Sequence, residues 1–201
     1  MSAFDRNEHY EYIINELLQN HFAVIDNFFD KSLINQLRYT ALSKEAEFKK
    51  AAIGNLSNEQ VVNEIRGDYI YWIDKNNSNV YEIEYLQEIE NLINYLNKTC
   101  YLGIVDKEFH FAIYPEGTFY KRHLDVFKND NKRRLSVILY LNEEEWNEKC
   151  GGELVIYKEN QAIVVQAVSG RMVVFESGLL EHEVKTVTRK RISITGWLKT
   201  R

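Results

Sequence analysis

The sequence contains very little proline or cysteine and no long apolar run. Pro115 is the sole proline among 201 residues, and Cys100 and Cys150 are the only cysteines. A single proline excludes a proline-rich partner motif. No apolar run approaches the roughly 20 residues that a membrane-spanning helix needs, so no membrane partner is expected. With two cysteines and no apolar leader at the N-terminus, we expect reduced thiols and a cytoplasmic location.

An excess of positive charge is also missing. The formal net charge is −5, which argues against a protein that works by neutralising phosphates, so no nucleic-acid partner is expected. The basic run KNDNKRR (128–134) is interpreted as a solvated loop. A hydrophobic content of 45% and a charged content of 27% are typical of a globular protein. The length predicts one domain over residues 1–201.

The first hundred residues carry helical periodicity. Three segments, NEHYEYIINELLQNHF, DKSLINQLRYTALSKEAEF and NVYEIEYLQEIENLINYLNKTC, repeat apolar residues at helical spacing. The apolar stripe of the first predicted helix consists of Tyr10, Ile13, Ile14, Leu17 and Leu18. Before the third helix, residues 51–74 combine a polar, glycine-containing loop with an alternating segment, which predicts a mobile hairpin.

The second half consists of short alternating runs separated by turns. They are FHFAIY, TFYKRHLDVF, RLSVILYLN, GELVIY, AIVVQAV, RMVVFES, HEVKTV and RISITGWLK. About eight such strands after a helical half predict an α+β fold with a mainly β core. We expect a closed or sandwiched antiparallel architecture over about residues 105–200, with the helices of about residues 1–100 packed on one outer face.

The stretch YKRHLDVF places a histidine and a carboxylate two residues apart in a predicted strand. Alternation sends His123 and Asp125 to the same face. A buried carboxylate is costly unless it is paired, hydrogen-bonded or bound to a metal. The pair is therefore compatible with a satisfied His–Asp contact or with part of a metal site.

A third candidate ligand lies further along the chain. His182 opens the predicted strand HEVKTV, and a distant third ligand is what a two-histidine, one-carboxylate site requires. Such a set leaves positions open on Fe(II), although Zn²⁺ competes for similar ligands. The other histidines, among them His110, are interpreted as surface or core residues, because they share no strand face with the three candidates.

Two strands present polar groups on one face and apolar groups on the other. In RISITGWLK, Arg191, Ser193, Thr195 and Trp197 share a face, whereas Ile192, Ile194 and Leu198 share the opposite one. In RLSVILYLN, Ser136 and Tyr140 lie opposite the leucines and Val137. The polar faces predict a cavity, and a guanidinium in it is suited to a bidentate bond with a carboxylate ligand.

These residues, in this order, resemble the 2-oxoglutarate and Fe(II)-dependent dioxygenases. The resemblance rests on HLD at 123–125, YLN at 140–142, GGEL at 151–154, His182 and RIS at 191–193, together with IRGDYIYWID and YPEGTFYKRHLD. It covers about residues 51–197. Within the family the chain is most similar to the prolyl hydroxylases of the hypoxia-inducible-factor type and their bacterial relatives.

The resemblance implies a double-stranded β-helix, or jelly roll, with Fe(II) held by His123, Asp125 and His182. It places 2-oxoglutarate against Arg191, with Tyr140 and Tyr114 nearby. Ser136, Thr195 and Trp197 would complete the cosubstrate pocket. Arg66 and Asp68 would lie at the end of a finger loop that folds over a protein substrate.

The implied activity is hydroxylation by Fe(II), 2-oxoglutarate and O2, with ascorbate as an optional reductant. The implied substrate is a proline in a protein such as elongation factor Tu, in the manner of a prolyl 4-hydroxylase. A ribosomal protein, or a residue other than proline, remains an alternative target. Two other readings stay open, an oxygenase of nucleic acid bases and a non-catalytic module that binds 2-oxoglutarate and metal without turnover.

Overall fold

The computed structural model describes residues 3–51, 65–126 and 132–201. Three α-helices occupy the first half, α1 (Ala3–Asn20), α2 (Lys31–Ser43) and α3 (Val80–Cys100). The predicted hairpin of 51–74 falls partly on residues 52–64, which lie outside the described residues. Within the described residues, no helix is both long enough and apolar enough to cross a membrane.

The helices follow the predicted periodicity, with one exception. Tyr10, Ile13 and Leu17 of α1 are buried, but Leu18 is 76% exposed, so its predicted place in the apolar stripe is wrong. It lies just beyond the face that packs on the sheet. Helix α3 begins at a complete capping box, in which the Asn79 side chain accepts from the Glu82 amide and the Glu82 carboxylate accepts from the Asn79 amide.

Eleven strands are found in the described residues. They are β1 (Phe22–Ile25), β2 (Lys49–Lys50), β3 (Tyr69–Trp72), β4 (Asp106–Tyr114), β5 (Tyr120–His123), β6 (Arg133–Tyr140), β7 (Leu154–Lys158), β8 (Gln161–Val165), β9 (Met172–Glu176), β10 (Glu181–Val184) and β11 (Arg191–Lys199). Every predicted strand of the second half is present. All of the pairings between them are antiparallel.

The last eight strands divide between two facing sheets. The larger sheet has the order β1-β9-β6-β11-β4-β3-β2, and the smaller one has the order β5-β10-β7-β8. Strands β4, β11, β6 and β9 therefore face β5, β10, β7 and β8, which is the arrangement of a double-stranded β-helix. The predicted jelly roll is confirmed.

The helices pack on the outer face of the larger sheet. Ile192, Ile194 and Leu198 of β11 join the helical residues in the main apolar core, as the alternation predicts. Gly196 lies on this face too, and a Cβ there would come within 2.2 Å of the Glu108 carbonyl oxygen and the Phe109 ring. The opposite face of the sheet, which carries Arg191, points into the space between the two sheets.

The segment before β3 connects the two sheets. Arg66 forms an isolated antiparallel bridge with Tyr120 of β5, and the Gly67 amide donates to the Phe119 carbonyl at 3.0 Å. A few residues later, β3 pairs with β4 of the larger sheet. Residues 65–72 therefore span the open side of the jelly roll beside β5.

Candidate metal centre and cosubstrate pocket

A cavity of about 1140 Å³ opens between the two sheets. All three predicted metal ligands line it, together with three residues from the inner face of β11. These lining residues are His123, Asp125, His182, Arg191, Thr195 and Trp197. The structure therefore brings together side chains that are up to 74 positions apart in the sequence, from 123 to 197.

His123, Asp125 and His182 form a compact cluster. Each offers one ligand atom, and the three atoms lie within 4.8 Å of one another. Nε2 of His123 is 3.4 Å from Oδ1 of Asp125, and Nε2 of His182 is 3.7 Å from Oδ2. In the described residues this is the only group of three or more histidine, cysteine, aspartate or glutamate side chains close enough to hold one ion.

The strand that was expected to carry both His123 and Asp125 ends at His123. His123 and Asp125 converge as predicted, but the predicted strand is shorter than expected, because Asp125 lies in a bend beyond β5. The bend has a physical cause. The Asp125 carboxylate turns inward to accept a hydrogen bond from Ser136, its carbonyl accepts from Arg133, and Leu124 is left 38% exposed.

The backbone sets the tautomer of both histidines. Nδ1 of His123 lies 2.7 Å from the Lys121 carbonyl oxygen, and Nδ1 of His182 lies 3.2 Å from that of Leu180. A carbonyl oxygen can only accept a hydrogen bond, so each Nδ1 carries the proton. Each Nε2 then has a free lone pair and is available as a metal ligand.

The electrostatics of the cluster favour neutral histidine beside an ionised carboxylate. Burial lowers the pKa of His182 to about 4, although the Asp125 charge opposes this. Burial alone would raise the pKa of Asp125, but the two histidines and the Ser136 hydroxyl outweigh it and hold the pKa well below its usual range. At neutral pH the cluster therefore offers the lone pair of a neutral His182 imidazole and the ionised Asp125 carboxylate.

Arg191 is a buried cation in the wall of the same cavity. Its side chain is almost completely enclosed, and its guanidinium donates from Nε to the Gly152 carbonyl at 3.0 Å and from Nη1 to the Ser193 hydroxyl at 3.3 Å. No carboxylate of the described residues pairs with it. A buried charge without a counter-ion is costly, so the pocket is suited to an anionic ligand.

Two aromatic rings surround this guanidinium. Its central carbon lies 4.8 Å from the centre of the Tyr114 ring and 5.0 Å from that of the Tyr140 ring. The Tyr140 hydroxyl is buried and has no hydrogen-bond partner among the described residues. A carboxylate placed against Arg191 would supply the missing acceptor for that hydroxyl.

Comparison with known proteins matches residues 109–199 to the 2OG-Fe(II) oxygenase superfamily. A crystal structure of a Pseudomonas putida prolyl-4-hydroxylase is 34% identical to this chain, with a TM-score of 0.86 over 96% of this chain and 99% of that one. The chain belongs to the 2OG-Fe(II) oxygenase superfamily. The family resemblance is thereby confirmed, and with it the requirement of the family for Fe(II), 2-oxoglutarate and O2.

Two animal relatives of this oxygenase are also similar. A Trichoplax adhaerens prolyl hydroxylase, solved in complex with a hypoxia inducible factor oxygen degradation domain peptide fragment, is 29% identical, with a TM-score of 0.86 over 99% of this chain and 94% of that one. A Caenorhabditis elegans hypoxia-inducible factor prolyl hydroxylase is 29% identical over 203 residues. That match covers 93% of the oxygenase chain and 28% of the length of the nematode protein.

The oxygenase site fits both the metal and the cosubstrate. The donor set of two imidazoles and a carboxylate is that of an Fe(II) facial triad, which keeps positions open for further ligands. 2-Oxoglutarate is a dicarboxylate, so one carboxylate can face the metal while the other meets the buried Arg191 guanidinium. The unpartnered Tyr140 hydroxyl is consistent with this placement.

Other predicted residues lie in different settings. Thr195 and Trp197 line the cavity. The Ser136 hydroxyl, predicted to contact the cosubstrate, donates instead to Asp125 at 2.6 Å. Arg66 and Asp68 pair with each other, with Nε to Oδ1 at 2.8 Å and Nη2 to Oδ2 at 2.6 Å.

Sequence reasoning missed His110 as a residue of the oxygenase cavity. The residue is buried, lies between Trp72 and Trp197 at ring distances of 4.9 and 5.5 Å, and lines the cavity. Its Nδ1 has no hydrogen-bond partner among the described residues. The segment HFAIY carried the signal, because His110 and Ala112 alternate onto the same face as Tyr114.

Proposed function

We propose that this oxygenase hydroxylates a proline residue in a protein substrate, in the manner of a prolyl 4-hydroxylase. One observation carries the proposal: the His123–Asp125–His182 cluster shares one cavity with a buried Arg191 that pairs with no carboxylate of the described residues. Support for proline as the target comes from the relatives, since the similar solved structures with identities of 29 and 34% are described as prolyl hydroxylases.

In this proposal His123, Asp125 and His182 hold Fe(II), and Arg191 binds the distal carboxylate of 2-oxoglutarate. Iron bound there would supply the oxidising chemistry, by which one oxygen atom of O2 would enter the substrate C–H bond and the other would be incorporated into succinate, with release of CO2. Asp125 acts as a ligand and not as a general base, because its pKa is held low by its histidine and serine neighbours.

The other pocket residues orient the cosubstrate and enclose it. The Tyr140 hydroxyl donates to the same distal carboxylate, and Tyr114 packs against the guanidinium. Burial raises the pKa of Tyr114 and Tyr140, so both phenols keep their protons and can donate. Thr195 and Trp197 form the wall toward the metal. A direct role of Arg66 and Asp68 in binding the protein substrate stays a prediction.

The proposed target is a translation factor, with elongation factor Tu as the first candidate and the cytoplasm as the compartment. Mass spectrometry of elongation factor Tu after incubation with the protein, Fe(II), 2-oxoglutarate and air tests this proposal. Gain of one oxygen atom on a proline is expected with the wild type and not with Asp125→Ala, which removes a ligand.

The same experiment separates the alternatives when succinate is measured in parallel. Succinate without oxidation of elongation factor Tu would contradict that target and direct the search to ribosomal proteins or to other residues. Absence of succinate with every protein tested, despite binding of Fe(II) and 2-oxoglutarate, would contradict the enzymatic proposal and indicate a non-catalytic module.

A further inference from the structure

Three side chains form a stacked column beside the metal cluster. The rings of Tyr120 and His123 lie 3.6 Å apart, centre to centre, and are inclined by only 15°. The central guanidinium carbon of Arg66 lies over the Tyr120 ring at 4.3 Å from its centre. Because the imidazole already covers one face of the phenol at such short range, the guanidinium lies over the other face.

Both ends of the column are fixed. At one end, Arg66 is held by two hydrogen bonds to Asp68, whose carboxylate is almost fully buried. This pairing outweighs the effect of burial and raises the pKa of the guanidinium, so the stacked group stays charged. At the other end, the His123 imidazole is anchored by its Nδ1–H to the Lys121 carbonyl.

The backbone keeps the column in register. Arg66 and Tyr120 form an antiparallel bridge, and the flanking hydrogen bonds run from the Gly67 amide to Phe119 and from the Lys121 amide to the carbonyl of residue 65, at 3.0 and 2.8 Å. Gly67 permits this contact, because a Cβ there would lie 2.6 Å from Cβ of Thr118. The segment 65–68 is therefore docked directly against the strand that ends in the ligand.

The direction in which Nε2 of His123 points depends on the orientation of the imidazole ring. The hydrogen bond at Nδ1 holds one edge of the ring, and the His123 side chain is the least buried of the three ligands. His182 contacts it only at an inclined angle of 56° and 4.3 Å. Among its ring contacts, the parallel contact with Tyr120 is the one that covers the face of the imidazole and supports its plane.

We propose that Arg66 is a positioning residue for the metal ligand His123 and that it acts through the ring of Tyr120. The column links the segment 65–68, which spans the two sheets, to the metal centre. This inference rests on the proposed function only in treating His123 as a ligand. Neighbours that orient metal-bound histidines typically contribute 10- to 100-fold to metal affinity.

Titration of the full chain with Mn(II), a redox-inert probe of the Fe(II) site, tests the inference without any protein substrate. Tyr120→Leu, which removes the aromatic plane, is expected to weaken Mn(II) binding by about 10-fold or more. Tyr120→Phe keeps the plane and is expected to restore affinity to within about threefold of the wild type. Arg66→Lys keeps the charge near Asp68 but loses the planar stack, so a loss of about three- to tenfold is expected.

A double-variant cycle tests whether Arg66 acts through Tyr120. If it does, Arg66→Lys weakens Mn(II) binding in the wild type but has no further effect in Tyr120→Leu. Losses that multiply in the double variant would overturn the inference, as would wild-type affinity in Tyr120→Leu. Thermal unfolding of the metal-free variants, compared with the wild type, identifies any loss that merely reflects a damaged fold.

The chain offers a matched control within the same sheet. The Arg122 guanidinium lies 3.9 Å from the centre of the half-buried Tyr157 ring, and among the described residues that ring stacks on no metal ligand. Tyr157→Leu is therefore expected to leave Mn(II) affinity unchanged. A wild type that binds no Mn(II) would refute the metal site and the inference together, whereas a metal-binding wild type with no effect of Tyr120→Leu would refute the inference alone.

Discussion

The hydroxyl of Ser136 donates a 2.6 Å hydrogen bond to Oδ2 of Asp125 in the interior of the protein. Because its proton is used in that bond, the Ser136 oxygen accepts the 2.9 Å hydrogen bond that joins it to Ser177. Two serines therefore support the carboxylate ligand in series. A serine that was predicted to contact the cosubstrate instead orients the metal ligand.

Replacing Ser136 by alanine should weaken the metal site. The buried carboxylate would lose its short hydrogen bond, and we expect Mn(II) affinity to fall by about 10-fold. Ser177→Ala, one step further away, should have a smaller effect. Calorimetric titration with Mn(II) measures both variants, and equal affinity in Ser136→Ala and wild type would contradict a supporting role for this hydroxyl.

Arg191→Met should abolish tight 2-oxoglutarate binding while leaving metal binding intact. Loss of a charge-assisted bond costs about 1.5–3 kcal/mol, which corresponds to roughly a 10- to 100-fold weaker affinity. Arg191→Lys keeps the charge but not the planar donor pair, so its affinity should be intermediate. Because the variant removes a buried charge without a carboxylate partner, the metal-free protein should not lose stability for electrostatic reasons.

Thermal unfolding provides the measurement for Arg191. With Mn(II) present and 2-oxoglutarate at 100 times its dissociation constant, the wild type should gain about 2.7 kcal/mol. At the same concentration Arg191→Met should gain much less. An equal gain in both proteins would place the cosubstrate elsewhere.

Gly152→Ala should damage the cosubstrate pocket through the arginine next to it. Gly152 has φ +71°, and a Cβ there would lie 2.7 Å from Cδ of Arg191 and from a Val187 methyl group. Gly103→Ala is the matched control, because Gly103 has φ +66° but no atom of the described residues lies within 4 Å of the added Cβ. Both variants carry about 1–2 kcal/mol of backbone strain, but only Gly152→Ala should weaken 2-oxoglutarate binding. Similar affinities in the two variants would contradict the steric argument.

His110 should make the stability of the metal-free protein depend on pH. Burial, aided by the Arg66 charge, lowers the pKa of His110 from 6.5 to about 3. Above pH 6.5 the residue is neutral in both states and has no effect. As the pH falls from 6.5 toward 3, the unfolded chain takes up a proton that the folded protein cannot, so stability is lost by at most about 1.4 kcal/mol per pH unit.

Chemical unfolding of wild type and His110→Leu over this pH range measures the effect. The leucine variant cannot titrate at this position, so its free energy of unfolding should fall less steeply between pH 6.5 and pH 3. Parallel curves for the two proteins would show that His110 can be protonated in the folded state at an ordinary pKa.

The secondary structure was predictable because the helical spacing of apolar residues in the first half differs clearly from the strand pattern in the second half. The eight strands of the second half are short runs bounded by turns, and the alternation in RISITGWLK assigns Ile192 to the helical side and Arg191 to the cavity. Leu18 shows that apolar spacing does not by itself predict burial. Its position fits a helical stripe, but whether it is covered depends on how α1 lies on the sheet, which is a property of tertiary packing and not of local spacing.

The metal cluster was predictable from residue types, but its geometry was not. Asp125 occupies the ligand position from a bend just beyond β5, where the Ser136 hydroxyl, 11 residues further on, donates to its carboxylate. Likewise, the pairing of Arg66 with Asp68 follows from the docking of segment 65–68 against β5. The sequence identifies these side chains as candidates, but which of them contact each other depends on how the two sheets assemble.

The three tryptophans of the chain are unequally placed, and this gives the protein a built-in optical reporter. Trp72 and Trp197 flank His110 on the wall of the cavity, whereas Trp146 is buried in a separate apolar cluster between the sheets. A paramagnetic ion in the cavity quenches nearby indoles and spares distant ones. Intrinsic fluorescence from Trp72 and Trp197 should therefore record filling of the cavity directly.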